Sequence, residues 1–363
     1  MRKRNVILPV FLLSCIVLFF CENRTITYYS DSQGYTVYTG DSGTHYIFLN
    51  FSGVNISDGE HNSINAALSP DGSIIVFQSE ISSANYDIFS MDISGSEQKN
   101  LTDHPDNDMQ PVISPDGTKI AFYRNADVYI MNINGNYQQK ISQSEVDTDY
   151  PIRFTHDGQH VVVTSIDDGR KNISLIDIEG NSQVILTQTI GGYDANMAPN
   201  SDIIIFVSGE SNNRNIYTMS HTGSGLNKLT IISGNYRNPC YSPDESTIVF
   251  SNCFQSLNYY NLFTMSADGP PIKRLTEAYT YDTNPVFTPD GEWIAFNRWF
   301  SNDSDIVFVA LDRAYEVNYT NTISQDELSP VFSTSQPYMF FQSNRGGNNN
   351  IWATSLNQLS QIY

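Results

Sequence analysis

Short apolar runs recur along the chain, each following a polar turn. They include Ile74-Ile75-Val76-Phe77, Ile120-Ala121-Phe122, Val161-Val162-Val163, Ile203-Ile204-Ile205-Phe206, Trp293-Ile294-Ala295-Phe296 and Met339-Phe340-Phe341. None alternates apolar with polar residues, so each reads as a strand covered on both faces. A second strand follows a polar loop, as in Ile88-Phe89-Ser90-Met91 and Leu262-Phe263-Thr264-Met265, and usually ends in a glycine turn at Gly95, Gly135, Gly180, Gly223 or Gly269. The last strand often carries lysine, as in Lys99-Asn100-Leu101-Thr102 and Lys228-Leu229-Thr230. A charge there discourages pairing with another chain, which suits an outer edge. A short strand precedes each turn, for example Asn284-Pro285-Val286-Phe287, and completes a set of four antiparallel strands.

The launching turn is Ser-Pro-Asp-Gly in its best copies, at Ser69, Ser114 and Thr288, with degenerate copies at Ser30, Thr155, Ala198, Ser242 and Ser333. Successive copies begin 39, 45, 41, 43, 44, 46 and 45 residues apart. Four strands in a unit of this length make one propeller blade, so the predicted fold is an all-β propeller of four-stranded antiparallel blades. Eight units fit, starting near residues 25, 65, 109, 150, 194, 238, 284 and 328. Seven is the alternative, if a terminal unit only lends strands to close the ring. Proline presets the turn and glycine supplies its left-handed residue. Altered turns are expected where Asn200-Ser201, Glu245 and Gln336 replace that pattern.

The segment Pro285-Val286-Phe287-Thr288-Pro289-Asp290-Gly291-Glu292-Trp293-Ile294-Ala295-Phe296 resembles the repeat of the TolB-like family of WD-repeat-related propellers. The family repeat continues with Ile-Tyr-x-Met-Asp and Leu-Thr, and the match recurs over essentially all of residues 22–363. The chain departs from TolB itself in having no room for a preceding α/β domain. The resemblance implies the scaffold. Related propellers serve as docking platforms, as gating domains of prolyl oligopeptidases, or as lyases on plant polysaccharide fragments that use pore histidines and a metal, so fold alone does not choose a function.

Residues 1–21 have the layout of a secretory signal: basic Arg2-Lys3-Arg4, then an apolar stretch from Val6 to Phe20. That stretch is short for a membrane span. Cys21, at the boundary, resembles a lipoprotein attachment site. Cys15 is the alternative, with the better preceding residue in Ser14 but an exposed apolar stub after cleavage. The expectation is a lipid-anchored protein of the bacterial cell envelope, facing away from the cytoplasm. Formal charge is −20, and loss of the three basic leader residues makes it −23. Such a surface repels phosphate backbones and argues against nucleic acid. Cys240 and Cys253 flank one hairpin, but Cys240 should face Ile248 or Val249, so two buried thiols are expected rather than a disulfide.

No Gly-x-Ser-x-Gly elbow, Gly-x-x-x-x-Gly-Lys-Ser/Thr loop or Cys-x-x-Cys pair is present. His156 and His160 bracket a hairpin turn, and His45, His61, His104 and His221 are isolated, so no metal site is expected from them. Acids do recur before the innermost strands, at Asp108, Asp149, Asp194, Asp282 and Glu327. They are candidates for a ring at one mouth of the pore, concentrating cations such as Ca2+ or a basic peptide. Tyr150, Tyr193, Tyr236 and Tyr281 lie near the same loops as candidates for an aromatic rim. The expected role is a monomeric module that binds an envelope protein, a peptide or a glycan, without a required cofactor. The alternative is a lyase or other glycan-processing enzyme with its site in the channel.

Overall fold

The computed structural model describes residues 53–361 except 83–84, 233, 254–258, 278–279, 301–302, 313–314 and 323, together with the strand backbones at 4–5, 27–30, 36–39 and 45–48. Both lipidation candidates, Cys15 and Cys21, lie outside the described residues.

Seven four-stranded blades surround a central channel. Blade 1 comprises Ser63–Leu68, Ile74–Ser82, Asn85–Asp92 and Lys99–Asn100, running outward from the channel, and blade 2 comprises Asp108–Ile113, Lys119–Arg124, Asp127–Asn132 and Gln139–Lys140. Blades 3 to 6 repeat the plan, their innermost strands being Arg153–Phe154, Tyr193–Met197, Arg237–Tyr241 and Tyr281–Phe287. In blade 7 the first three strands are Glu327–Phe332, Tyr338–Ser343 and Asn350–Ser355, but the outer one is Val54–Asn55.

The count is therefore seven, the smaller of the two numbers admitted by the repeat. The first unit is divided instead of folding as a blade. Val54–Asn55 closes the ring, while His45–Phe48 pairs in parallel with Tyr315–Asn318, the outer strand of blade 6. Thr36–Thr39, Thr27–Ser30 and Arg4–Asn5 extend that sheet further, the last of these belonging to the stretch read as a leader.

The continuous apolar runs form the second strand of each blade, and Val76, Ile120, Phe122, Val161, Ile204, Phe206, Ile248, Phe250, Ile294 and Phe296 are all fully buried. Blade faces pack on one another through these residues. One cluster joins Val76, Ile88, Ile120 and Phe122 across blades 1 and 2, and another joins Val249, Leu262, Ile294 and Phe296 across blades 5 and 6. Each such side chain contributes about 1.5–3 kcal/mol relative to exposure.

A hydroxyl following each outer strand fastens it. In all seven blades it accepts a hydrogen bond from a backbone N–H of the third strand, at 2.9 to 3.1 Å; the residues are Thr102, Ser142, Thr187, Thr230, Thr276, Thr320 and Ser57. In most blades the same hydroxyl also donates to the Asp or Asn just before that N–H, such as Asp87, Asp127 or Asn215. Ser57 does this in blade 7, donating to Asn350 Oδ1 at 2.8 Å, so the closing segment reproduces a normal outer strand. Gly95 then packs over it, at φ +85°, where a side chain would collide with the Ile56 carbonyl oxygen.

The three irregular turns divide. Glu245 takes the left-handed conformation itself, at φ +59°, and its N–H still bonds the Ser242 carbonyl at 2.9 Å, so that turn is unaltered. Asn200-Ser201 and Gln336 have no such left-handed residue, and the turns there differ from the pattern. Cys240 pairs in register with Val249; neither it nor Cys253 is in a disulfide, and both are half-buried where full burial was expected.

Two stability measurements check this account. Ser57→Ala leaves the Ile351 N–H without its partner and is expected to cost about 1–3 kcal/mol, read as a lower urea midpoint at unchanged slope. Burial raises the Asp305 carboxyl to about 6, against the hydrogen bonds of Asn318, Thr322 and Thr320. The native state thus holds that proton to higher pH than the unfolded chain, whose aspartates titrate near about 4. Its contribution is complete below about pH 4 and is lost as pH rises through about 6. The Tm difference between wild type and Asp305→Asn should therefore favour wild type more at pH 4 than at pH 7.5.

Candidate functional site: the channel mouth

The innermost strands build the mouth through a repeated bulge. In six blades the pairing with the second strand slips by one residue, at Asn65, Gln110, Asp194, Asn238, Asn284 and Ser329, each with φ between 50° and 55°. Asparagine, and to a lesser degree aspartate, tolerates this left-handed geometry better than most residues with a side chain. A bulge re-aims its side chains, and all six line one cavity of about 760 Å³ at the centre of the ring. Neighbouring bulges are linked. Asp194 Oδ2 accepts from the Asn238 N–H at 2.6 Å, and Gln78 Oε1 accepts from Asn65 Nδ2 at 2.9 Å and from the Gln110 N–H at 2.8 Å.

Blade 3 breaks the pattern because Pro151 stands at the bulge position. Its ring fixes φ near −65° and excludes the left-handed conformation. The innermost strand there is only Arg153–Phe154, and Arg153 lines the cavity. Two residues before the turn, where the other blades carry Ala67, Val112, Asn196, Cys240, Val286 and Val331, blade 3 presents a guanidinium. Its Nε donates to Asn196 Oδ1 at 3.0 Å and its Nη1 to the Ile152 carbonyl at 3.2 Å. Arg214 and Arg237 line the same cavity.

Aromatic rings surround these cations. Tyr150 and Tyr193 lie 5.5 Å apart between centroids, Lys171 Nζ sits 4.8 Å from the Tyr150 ring and Arg214 5.8 Å from that of Tyr193. Arg237 lies 4.7 Å from the Tyr260 ring, which stacks on Tyr281 at 6.0 Å. Tyr150, Tyr193 and Trp299 line the cavity and Tyr281 is exposed nearby; Tyr236 is instead fully buried in the core, its hydroxyl donating to the Ile232 carbonyl. Sequence reasoning did not single out the arginines or Trp299. Arg153 was detectable, as the charged exception in an otherwise uncharged column of the repeat.

The five acids part company. Asp149 and Asp194 line the cavity. Burial raises the Asp194 carboxyl, against the Asn238 hydrogen bond and the Arg153 and Arg237 charges. Asp108, Asp282 and Glu327 are fully buried within their blades and bonded to arginine. Asp108 holds Arg124 through two bonds of 2.7 Å, Asp282 holds Arg298 at 2.8 and 2.9 Å, and Glu327 lies 3.0 Å from Arg345. Arg298 also bonds Glu316. No group of three or more His, Cys, Asp or Glu side chains able to hold a metal occurs among the described residues.

A model of the TolB beta propeller domain matches residues 21–243. The chain belongs to the TolB β-propeller family. Among solved structures, this TolB-like chain is similar to an oligogalacturonate lyase from Vibrio parahaemolyticus, with 13% identity, TM-score 0.69, and 92% of this chain and 97% of that one covered. An oligogalacturonate lyase in complex with manganese gives 12% identity, TM-score 0.68 and coverages of 92% and 96%. TolB from Acinetobacter baumannii gives 18% identity, TM-score 0.53, and coverages of 68% and 63%. At these identities the likeness concerns the fold.

The split among the acids carries a test. Arg298→Met strands two buried carboxylates and is expected to cost about 3–5 kcal/mol. Asp149→Asn, at an exposed rim position, should stay within about 0.5 kcal/mol of wild type. Urea denaturation of both variants measures the contrast.

Proposed function

We propose that this TolB-like propeller is a binding module that takes a saccharide in its channel mouth. The supporting observation is the lining itself: Tyr150, Tyr193 and Trp299 beside the amide side chains of Asn65, Gln110, Asn238 and Asn284 around one concave space. Aromatic faces cover the apolar faces of sugar rings, and amides both donate to and accept from hydroxyls. A concave site with a few fixed polar groups suits a small ligand better than a flat protein surface. The same reading places the protein in the cell envelope, anchored through Cys21, with Cys15 as the alternative.

An enzymatic reading draws on the fold likeness to oligogalacturonate lyase over 92% of the chain. A metal-dependent site with histidine ligands would need imidazoles at the channel. Of the five histidines whose side chains are described, His61 hydrogen-bonds Asp58, the rings of His160 and His221 lie 6.1 Å apart and tilted by 35°, and none of the five lines the cavity. Binding is therefore the better-supported role.

Two measurements decide. Intrinsic fluorescence titrated with a panel of neutral and acidic oligosaccharides should show saturable quenching by at least one, and Tyr193→Ala should weaken that binding about tenfold or more; no saturable change with any sugar removes the proposal. Independently, Cys21→Ser should abolish labelling by a fatty-acid analogue, whereas persistent labelling transfers the anchor to Cys15.

A further inference from the structure

We propose that the channel mouth is a carboxylate receptor, built on Arg153, Arg214 and Arg237, and that the saccharide it takes is an acidic one. The inference rests on the saccharide reading above and adds the chemistry that selects among saccharides.

Of the chain's other described arginines, the shielded Arg124, Arg298 and Arg345 are each matched to a buried carboxylate within hydrogen-bond distance, whereas the exposed Arg170 and Arg274 bond only carbonyl and amide oxygens. Arg153, Arg214 and Arg237 have no carboxylate within salt-bridge distance among the described residues, although the chain carries 39 acids against 19 Lys and Arg. In so acidic a protein, three unmatched guanidiniums around one cavity are not the product of a shortage of partners. The Arg214 Nε is buried with no hydrogen-bond acceptor at all. A shielded cation without a counter-ion is costly, and that cost is recovered when an anion enters. The three belong to one electrostatic neighbourhood, since Arg153 and Arg237 both act on Asp194, and Arg214 and Arg237 both act on Tyr193.

The guanidinium fork matches a carboxylate with two parallel hydrogen bonds. Asp194 does not fill this role for Arg153, since no ion pair forms between them; its Oδ2 accepts instead from the Asn238 N–H at 2.6 Å. The lining carries three guanidiniums, Arg153, Arg214 and Arg237, against two carboxylates, Asp149 and Asp194, so cations outnumber anions there. The chain as a whole carries a formal charge of −20. A long polyanion would meet the acidic outer surface, which favours a short oligomer whose charges all fit inside.

The test compares a hexuronate trisaccharide, the neutral hexose trisaccharide and tri-glutamate by calorimetric titration of the full chain. The uronate should bind at least about tenfold more tightly than the neutral sugar, a difference of about 1.4 kcal/mol. Arg153→Gln and Arg237→Gln should each erase most of that preference, bringing the uronate's affinity close to that of the neutral sugar. Arg237 is exposed, so its variant retains the fold; an unchanged Tm verifies this for both. Equal affinity for the two sugars overturns the carboxylate receptor and leaves the saccharide reading standing. Tri-glutamate binding as tightly as the uronate overturns the saccharide reading, and no binding of either sugar overturns both.

Discussion

A propeller holds together only if its circle closes, and here closure depends on four residues, Val54 to Ser57, that lie nearly three hundred residues from their partners in sequence. In the six other blades the fastening hydroxyl follows 14 residues after the N–H it accepts; in blade 7 it precedes it by 294. Lengthening a loop by that ratio costs about 3 kcal/mol. Two hydrogen bonds from Ser57 and the burial of Ile56 are of the same order. Without this segment Asn350–Ser355 would present an unpaired edge, and blade 1 would lose the surface beneath Gly95.

Much of the architecture was legible because strand patterning is local. The unalternating runs at Ile74 and Ile294 could be covered only by neighbouring blades, and the glycine turns marked where each third strand ends. The blade number was not local. The stretch from residue 25 to residue 55 reads like another unit, yet its strands divide between two blades, since closing blade 7 takes precedence over building an eighth. Turn chemistry was also less strict than residue identity suggests. Glu245 adopts the left-handed geometry that glycine provides elsewhere, held by its bond to Ser242.

The candidate site was harder to read because a single-residue slip decides it. Counting back from the turn, where Phe287 faces Ile294, an unbroken ladder would set Arg298 opposite Thr283; the bulge at Asn284 sets it opposite Asp282 instead. Gln110 does the same for Asp108 and Arg124. One slip therefore consumes an acid within the blade and points an amide at the channel. Periodicity places the acids near the mouth but does not reveal which arginine each will meet across the sheet.

This exchange explains how an acidic chain acquires a channel mouth of the opposite character. Where the bulge forms beside an acid–arginine pair, as in blades 2 and 6, both charges are withdrawn from the channel. Where proline forbids the bulge, in blade 3, no such pair forms, and Arg153 remains unneutralised at the cavity wall. The mouth's polarity thus follows from backbone conformation at the position four residues before the turn, before any ligand is considered. Composition reports the outer surface of such a protein; the bulges determine what its channel can hold.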